Sequence, residues 1–495
     1  MELYYKSTRN SDLRVSASRA ILTGLAPDGG LFVPERIPAL ELSPVELKSM
    51  DYHQIAYAVM QKFLTDYTEE ELWDCIRKAY DEKFDTEWIA PLVKADGRYY
   101  LELFHGATIA FKDMALSILP HLMTAAAKKN HIDKKIVILA ATSGDTGKAA
   151  MAGFADVEGT RIIVFYPRDG VSKVQKLQMV TQKGNNVDVA AIRGNFDQAQ
   201  SGVKAMFEDR QLGKELAEHG YQFSSANSIN IGRLVPQIVY YVHAYARLVE
   251  YGEIRPGETV NLVVPTGNFG NILAAYYAKQ MGLPFGKLIC ASNENKVLYD
   301  FFETGVYDRN RAFVLTASPS MDILVSSNLE RLIYQITGED AQKTAERMKS
   351  LGVSGRYGIT EEMKEKLADF DAGYASEAQT AEEIRKVYER TGYVIDTHTA
   401  VASYVCREYE TRTGDRRPCV IASTASPYKF AKSVLSAINP SLEDRDEMDL
   451  LEEMPSVSGV EAPKAIREIR EADILHTTEC EPENMKDTVK TFLGL

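Results

Sequence analysis

A chain of 495 residues is too long for one hydrophobic core, so two or three domains are expected. Hydrophobic residues make up 45% and charged residues 26%, the composition of a soluble globular protein. The formal net charge is −13 and no stretch concentrates Lys and Arg, which argues against nucleic acid as a partner and leaves small molecules held in local basic or amide-rich pockets.

The opening residues Met1 to Lys6 have neither the basic nor the apolar region of a secretory leader, and no apolar run approaches the length of a membrane span. Five widely spaced cysteines, Cys75, Cys290, Cys406, Cys419 and Cys480, have no zinc-site spacing, and their odd number and low density point to buried, reduced thiols. A cytoplasmic location is expected, with no membrane partner.

In chain order, Pro44 to Tyr57 and Glu69 to Tyr80 carry helical patterns without the strand-then-helix alternation that follows. A separate, mainly helical N-terminal domain over 1–97 is therefore expected. Next comes Leu103-Phe104-His105-Gly106-Ala107-Thr108-Ile109-Ala110-Phe111-Lys112-Asp113, where a lysine lies in a mostly apolar stretch. A buried ammonium is costly, so such a lysine loses its proton readily and attacks carbonyls; on the solvent face of a helix start it would do neither. His105 has the ordinary reading of a packed core or loop histidine.

From Lys134 onward, short β-branched runs alternate with amphipathic helices: 135–140, 161–166, 187–192, 259–264, 287–291 and 419–423. Near-continuous apolar strands of this kind belong to parallel sheets flanked by helices, an α/β fold over 98–440. Two of the runs lead into turns suited to anions, because glycines ahead of a helix start leave backbone N–H groups free. One is Ala141-Thr142-Ser143-Gly144-Asp145-Thr146-Gly147-Lys148; the other is Pro265-Thr266-Gly267-Asn268-Phe269-Gly270-Asn271, ahead of a helix over Ile272 to Lys279. Each is also compatible with a plain capped turn, and no GxGxxG accompanies them. A charged helical stretch from Gln342 to Arg390 reads as an insertion or lid, and the acidic, proline-punctuated tail over 441–495 as a surface wrap.

Taken together these segments resemble threonine synthases, fold-type II pyridoxal-phosphate (PLP) enzymes of the tryptophan synthase β-like class. The resemblance begins at Tyr5-Lys6-Ser7-Thr8-Arg9 and Gly24-Leu25-Ala26-Pro27-Asp28-Gly29-Gly30-Leu31-Phe32-Val33-Pro34, and the 105–113 segment is similar to the family pattern HGPTxAFKD, with Ala107 in place of proline. It implies two PLP-binding subdomains within 98–440 and a Schiff base on Lys112. Gly267, Asn268, Phe269, Gly270 and Asn271 would cradle the cofactor phosphate, and Thr424 would face the pyridine nitrogen. Thr142, Ser143, Asp145 and Thr146 would receive the substrate carboxylate, with Asn227 and Arg233 on its phosphate. Asp396, His398 and Thr399 lie in a stretch like D-P-H-T-A, with Thr397 replacing proline, and a capping or packing role is as good a reading there as a catalytic one. Where the family writes His-Pro-Ala-Lys-Phe, this chain has Ser426-Pro427-Tyr428-Lys429-Phe430.

The activity so implied is conversion of O-phospho-L-homoserine and water to L-threonine and phosphate, the last step of threonine biosynthesis, by a monomer or homodimer without a metal. A serine/threonine dehydratase-like β-eliminase would keep Lys112 and the cradle but have no use for Asn227 and Arg233. A non-catalytic ligand-binding relative could lose the lysine, which is present here.

Overall fold

The computed structural model describes residues 2–142, 144–169, 171 and 173–495. All six β-branched runs form strands, and they divide between two sheets. The first sheet is parallel throughout, in the order Thr478–Cys480, Val187–Ile192, Thr160–Pro167, Lys135–Ala141 and Tyr221–Ser224. The second runs Phe370–Tyr374, Phe285–Ser292, Val260–Pro265, Cys419–Ser423, Arg98–Glu102 and Leu92–Ala95, parallel except for the hairpin formed by its last two strands. Every residue of Val260–Pro265 and of Cys419–Ser423 is buried, as expected of strands covered by helices on both faces.

The helix Ile231–Glu250 is buried along its whole length save its last residue, so it serves as an internal beam rather than a surface helix. It packs against Gly270–Gln280 on one side and Tyr52–Phe63 on the other. The N-terminal segment therefore lacks a core of its own. Leu3, Tyr5, Ile55 and Phe63 belong to the same apolar cluster as Val264, Leu288 and Ala422. A boundary at residue 97 also falls inside the hairpin turn of the second sheet, where Gly97 has φ 75°. The 44–57 pattern is two helices, Pro44–Leu47 and Tyr52–Phe63, because Asp51 caps the second: it accepts the Gln54 N–H at 2.8 Å while Gln54 accepts the Asp51 N–H at 2.9 Å.

The stretch read as a helical insertion over 342–390 is built into the sheet. Ala341–Ser354 is followed by Arg356–Gly358, which pairs with Val306–Asp308, and then by Phe370–Tyr374, the outer strand of the larger sheet. Glu377–Thr391 packs on Thr397–Thr413 over the same sheet. Its charge is that of helix faces turned to solvent, and the short strands between were too brief to show in a periodicity. The tail likewise supplies an edge strand, Thr478–Cys480, and a helix, Met485–Leu493, whose Met485, Val489 and Leu493 sit against Val137 and Ile163. Four of the five cysteines are buried and Cys480 is half-buried. Among the described residues no helix is long and apolar enough to cross a membrane.

One close approach ties the two sheets' helices together. Gly153, in the helix Asp145–Phe154, lies so near the short helix Asp113–Leu116 that an added Cβ would stand 2.1 Å from the Leu116 carbonyl oxygen. Gly153→Ala is expected to destabilise by about 2–3 kcal/mol through backbone displacement. Gly213→Ala, in a helix with nothing within 4 Å of the new methyl, should instead gain roughly 0.5–1 kcal/mol from helix propensity. Thermal melts of the two variants check the contrast.

Candidate active site

Lys112 stands at the start of Asp113–Leu116, in a turn zipped onto the end of the strand Cys419–Ser423. The Phe111 N–H donates to the Thr424 carbonyl at 2.8 Å, the Ser426 N–H to the Ile109 carbonyl at 3.0 Å, and Ala110 bridges Ala425. Holding this shape costs backbone strain, because buried, β-branched Ile109 adopts φ 53°. Asp113 closes the turn from below, accepting the Thr108 N–H at 2.8 Å and its hydroxyl at 2.6 Å. Burial pushes the Asp113 carboxyl up, against the pull of those two donors. Lys112 is thus delivered, side chain buried, into the space between the two sheets.

There it meets Asp145, the first residue of the helix Asp145–Phe154. Lys112 Nζ lies 3.6 Å from Asp145 Oδ2 and donates to Ser320 Oγ at 3.1 Å; Ser320 Oγ in turn donates to Asp145 Oδ2 at 3.0 Å. On the other carboxylate oxygen stand Lys429 Nζ and Gln175 Nε2, each at 3.1 Å. Desolvation pushes the Lys112 amine down, opposed by Asp145 and aided by the charges of Lys429 and Arg233. Burial would raise Asp145, yet Lys429, Lys112 and His398 together hold its carboxyl far below the usual range. The turn is fixed by Thr142, whose hydroxyl oxygen accepts the N–H groups of Gly144 and Gly147, both at 3.0 Å. Ser143 lies outside the described residues. Thr146 follows Asp145 in the first turn of the helix.

The second anion turn has the shape a phosphate needs. Phe269 takes the left-handed conformation, φ 64°, immediately before Gly270–Gln280, and the N–H groups of Gly267, Asn268 and Phe269 have no protein acceptor among the described residues. A Cβ on Gly267 would stand 2.6 Å from the Ser320 carbonyl oxygen, so only glycine fits beneath that loop. Asn271 accepts the hydroxyls of Tyr240 and Tyr241 at 2.6 and 2.5 Å, and its buried Nδ2 donor has no partner among the described residues. Free amide donors, an orphaned carboxamide and a nearby lysine fit the phosphate and the aldehyde of PLP. Thr424, buried at the end of its strand, follows the same sheet edge.

Arg233 is buried in the first turn of Ile231–Glu250. Its Nη1 donates to the Ala226 carbonyl at 2.7 Å, its Nε has no partner, and no carboxylate pairs with it among the described residues. Desolvation pulls the guanidinium down to about 10. Asn227, by contrast, is exposed, in the turn whose backbone leads into that helix. Asp396 caps Thr397–Thr413 through the N–H groups of His398 and Thr399, at 2.9 and 3.0 Å, and accepts His398 Nδ1 at 2.8 Å. His398 Nε2 accepts the Ser320 N–H at 3.2 Å, which aims the Ser320 loop at Lys112.

Two residues escaped the sequence reading. Ser320 sits in a polar loop with no pattern to mark it. Lys429 lies in the 426–430 segment, between two aromatic residues, and its signal is the one that marks Lys112, a lysine in a mostly apolar stretch.

Three family models match the chain: "Threonine synthase N terminus" over residues 4–80, "Pyridoxal-phosphate dependent enzyme" over 85–424, and "Threonine synthase, C-terminal" over 399–474. The threonine synthase of Pseudomonas aeruginosa is 38% identical over 436 residues, covering 88% of this chain and 90% of that one. That of Saccharomyces cerevisiae is 33% identical over 502 residues, covering 95% and 96%. Human threonine synthase-like 1 is 41% identical over 436 residues, 85% of this chain, but the match spans only 58% of that longer protein. Among solved structures, PLP-bound threonine synthase from Brucella melitensis superposes with a TM-score of 0.86 at 33% identity and the yeast enzyme with 0.87 at 30%, each covering 99% of both chains.

His105, beside this site, is clamped rather than catalytic: Nδ1 meets Asp85 at 2.5 Å and Nε2 meets Glu102 at 2.8 Å. Burial lowers the imidazole, but the two carboxylates outweigh it and raise the group to about 9. A raised folded-state value stabilises fully below the unfolded value near 6.5 and is lost as pH climbs through 9. The stability gap between the wild type and His105→Gln should therefore be widest below pH 6.5, by roughly 2–3 kcal/mol allowing for screening of half-exposed Asp85. It should close above pH 9; denaturant titrations across that range measure it.

Proposed function

Since the chain belongs to the threonine synthase family of PLP-dependent enzymes, we propose that it converts O-phospho-L-homoserine and water to L-threonine and phosphate, the last step of threonine biosynthesis, in the cytoplasm. The observation that carries the choice of substrate is Arg233. A buried guanidinium without a carboxylate partner is a large uncompensated cost, and an anionic ligand group removes it. A phosphomonoester suits it in charge and in geometry.

In this reading Lys112 anchors the cofactor, residues 267–271 hold its phosphate and Thr424 meets its ring nitrogen. Thr142, Asp145 and Thr146 shape the end of the site that receives the substrate carboxylate, and Asn227 with Arg233 holds the phosphate at the other. PLP, when bound, supplies the electron sink that stabilises charge left on carbon by proton removal. The neutral Lys112 amine then takes the Cα proton of the substrate. Loss of a second proton, from Cβ, expels phosphate from Cγ toward Arg233; a proton returns to Cγ, water adds its hydroxyl at Cβ, and a proton returns to Cα. Proton transfers by a positioned base contribute about 10²- to 10⁴-fold each. Ser320, held by His398, keeps the amine aimed between the two sheets.

A dehydratase-like eliminase acting on serine or threonine uses the same lysine and cradle but gains nothing from Arg233. The purified protein is expected to release phosphate and threonine from O-phospho-L-homoserine in equal amounts, and Lys112→Ala to release neither. Arg233→Gln should lower kcat/KM for this substrate about 100-fold or more, the loss of a charge-assisted pair. Keto-acid formation from serine or threonine that outpaces phosphate release, with Arg233→Gln unaffected, would replace this reading with the eliminase.

A further inference from the structure

Lys429 lies on the one-turn helix Pro427–Phe430 with its side chain wholly buried, yet no role in the reaction above requires it. Its surroundings set a charge problem. Asp145 is a single carboxylate facing two lysine amines, Lys112 and Lys429, with Arg233 and Lys148 adding positive charge nearby and Asp113 and the Asp396–His398 pair the other titratable groups around them. Two ammonium ions on one carboxylate in a dry interior leave a net positive charge that burial penalises strongly. The cheapest resolution is for one of the two amines to be neutral.

The contacts decide which. Lys429 Nζ donates to the Thr108 carbonyl at 3.0 Å and pairs with Asp145 Oδ1 at 3.1 Å, the shorter of the two lysine–carboxylate separations. Among the described residues Lys112 Nζ donates to the Ser320 hydroxyl at 3.1 Å, and at 3.6 Å from Asp145 Oδ2 it makes the looser of the two ion pairs. We propose that Lys429 is a positioning residue that engages Asp145 as its own counter-ion, so that Lys112 is left as a free amine able to attack an aldehyde and to accept a proton from carbon. Burial and the Lys429 charge both depress the Lys112 amine, in agreement with the geometry. The proposal rests on Lys112 being the cofactor's anchor. In that reaction the amine lone pair adds to the aldehyde carbon, a carbon–nitrogen double bond forms, and the carbonyl oxygen leaves as water with the two amine protons.

The test uses the full chain, stripped of cofactor and reloaded with PLP from pH 6 to 10, the product fixed with borohydride and located by peptide mapping. Lys429→Met should move the midpoint of reloading upward by about one pH unit or more, and slow reloading about tenfold at neutral pH. Lys429→Arg, which keeps the charge on Asp145, should hold the wild-type midpoint. A Lys429→Met midpoint equal to that of the wild type overturns the proposal, as does a Lys429→Arg midpoint displaced as far as that of Lys429→Met. Lys429→Gln serves as the neutral variant if the methionine protein does not fold. Cofactor fixed to another residue in Lys112→Ala would overturn the anchor instead, and the substrate reading is untouched because no substrate is used.

Discussion

A lysine amine removed from water is expensive as a cation and useful as a base, and the centre of this molecule is arranged around that fact. Lys112 is brought into the interior by a strained turn, and the carboxylate it meets is already engaged by Lys429 and Gln175. The remaining devices follow from keeping water and spare charge out. Ile109 and Phe269 occupy the left-handed region at the two edges of the site, and the Ser320 loop closes over Gly267 with no room for a side chain. Among the described residues the buried Arg233 Nε has no partner, so the desolvation that pushes the Lys112 amine down also leaves a guanidinium nitrogen open to an acceptor.

The architecture was legible wherever physics writes it locally. Val187–Ile192 and Cys419–Ser423 were read to the residue, because fully buried parallel strands need an unbroken apolar run. The glycine turns showed for a similar reason: anion loops need residues without side chains. What did not show depends on partners distant in sequence. Phe370–Tyr374 has only five residues, with one glycine, and becomes a strand through its pairing with Phe285–Ser292. The 1–97 segment looked like a separate domain because its helices are amphipathic, but the apolar face of Tyr52–Phe63 is spent on the central helix Ile231–Glu250 rather than on a core of its own.

The candidate site divides in the same way. Lys112 and Asp145 stand 33 positions apart, and each sits in a turn whose composition announces it; the structure places Lys112 Nζ 3.6 Å from Asp145 Oδ2. Asn227 and Arg233 were paired by resemblance, yet the first is exposed and the second buried, so the helix start separates them by burial although not by sequence. Ser320 had no local signature because its importance comes from three contacts, to His398, Lys112 and Asp145, all far along the chain.

Arg331 has no solvent exposure, and its guanidinium joins three regions. Nε donates to the Phe32 carbonyl at 2.9 Å, Nη2 to the Ile229 carbonyl at 2.6 Å, and Nη1 to Asn328, which itself donates two bonds to the Asn268 carbonyl. The strand Phe32–Pro34, the turn ahead of Arg233 and the 267–271 turn thus share one set of donors. Displacing Phe32 would take the acceptor from a buried guanidinium nitrogen and loosen the hold of Arg331 on the 267–271 turn by the same change. The N-terminal segment is bonded through Arg331 to the 267–271 turn rather than appended to it.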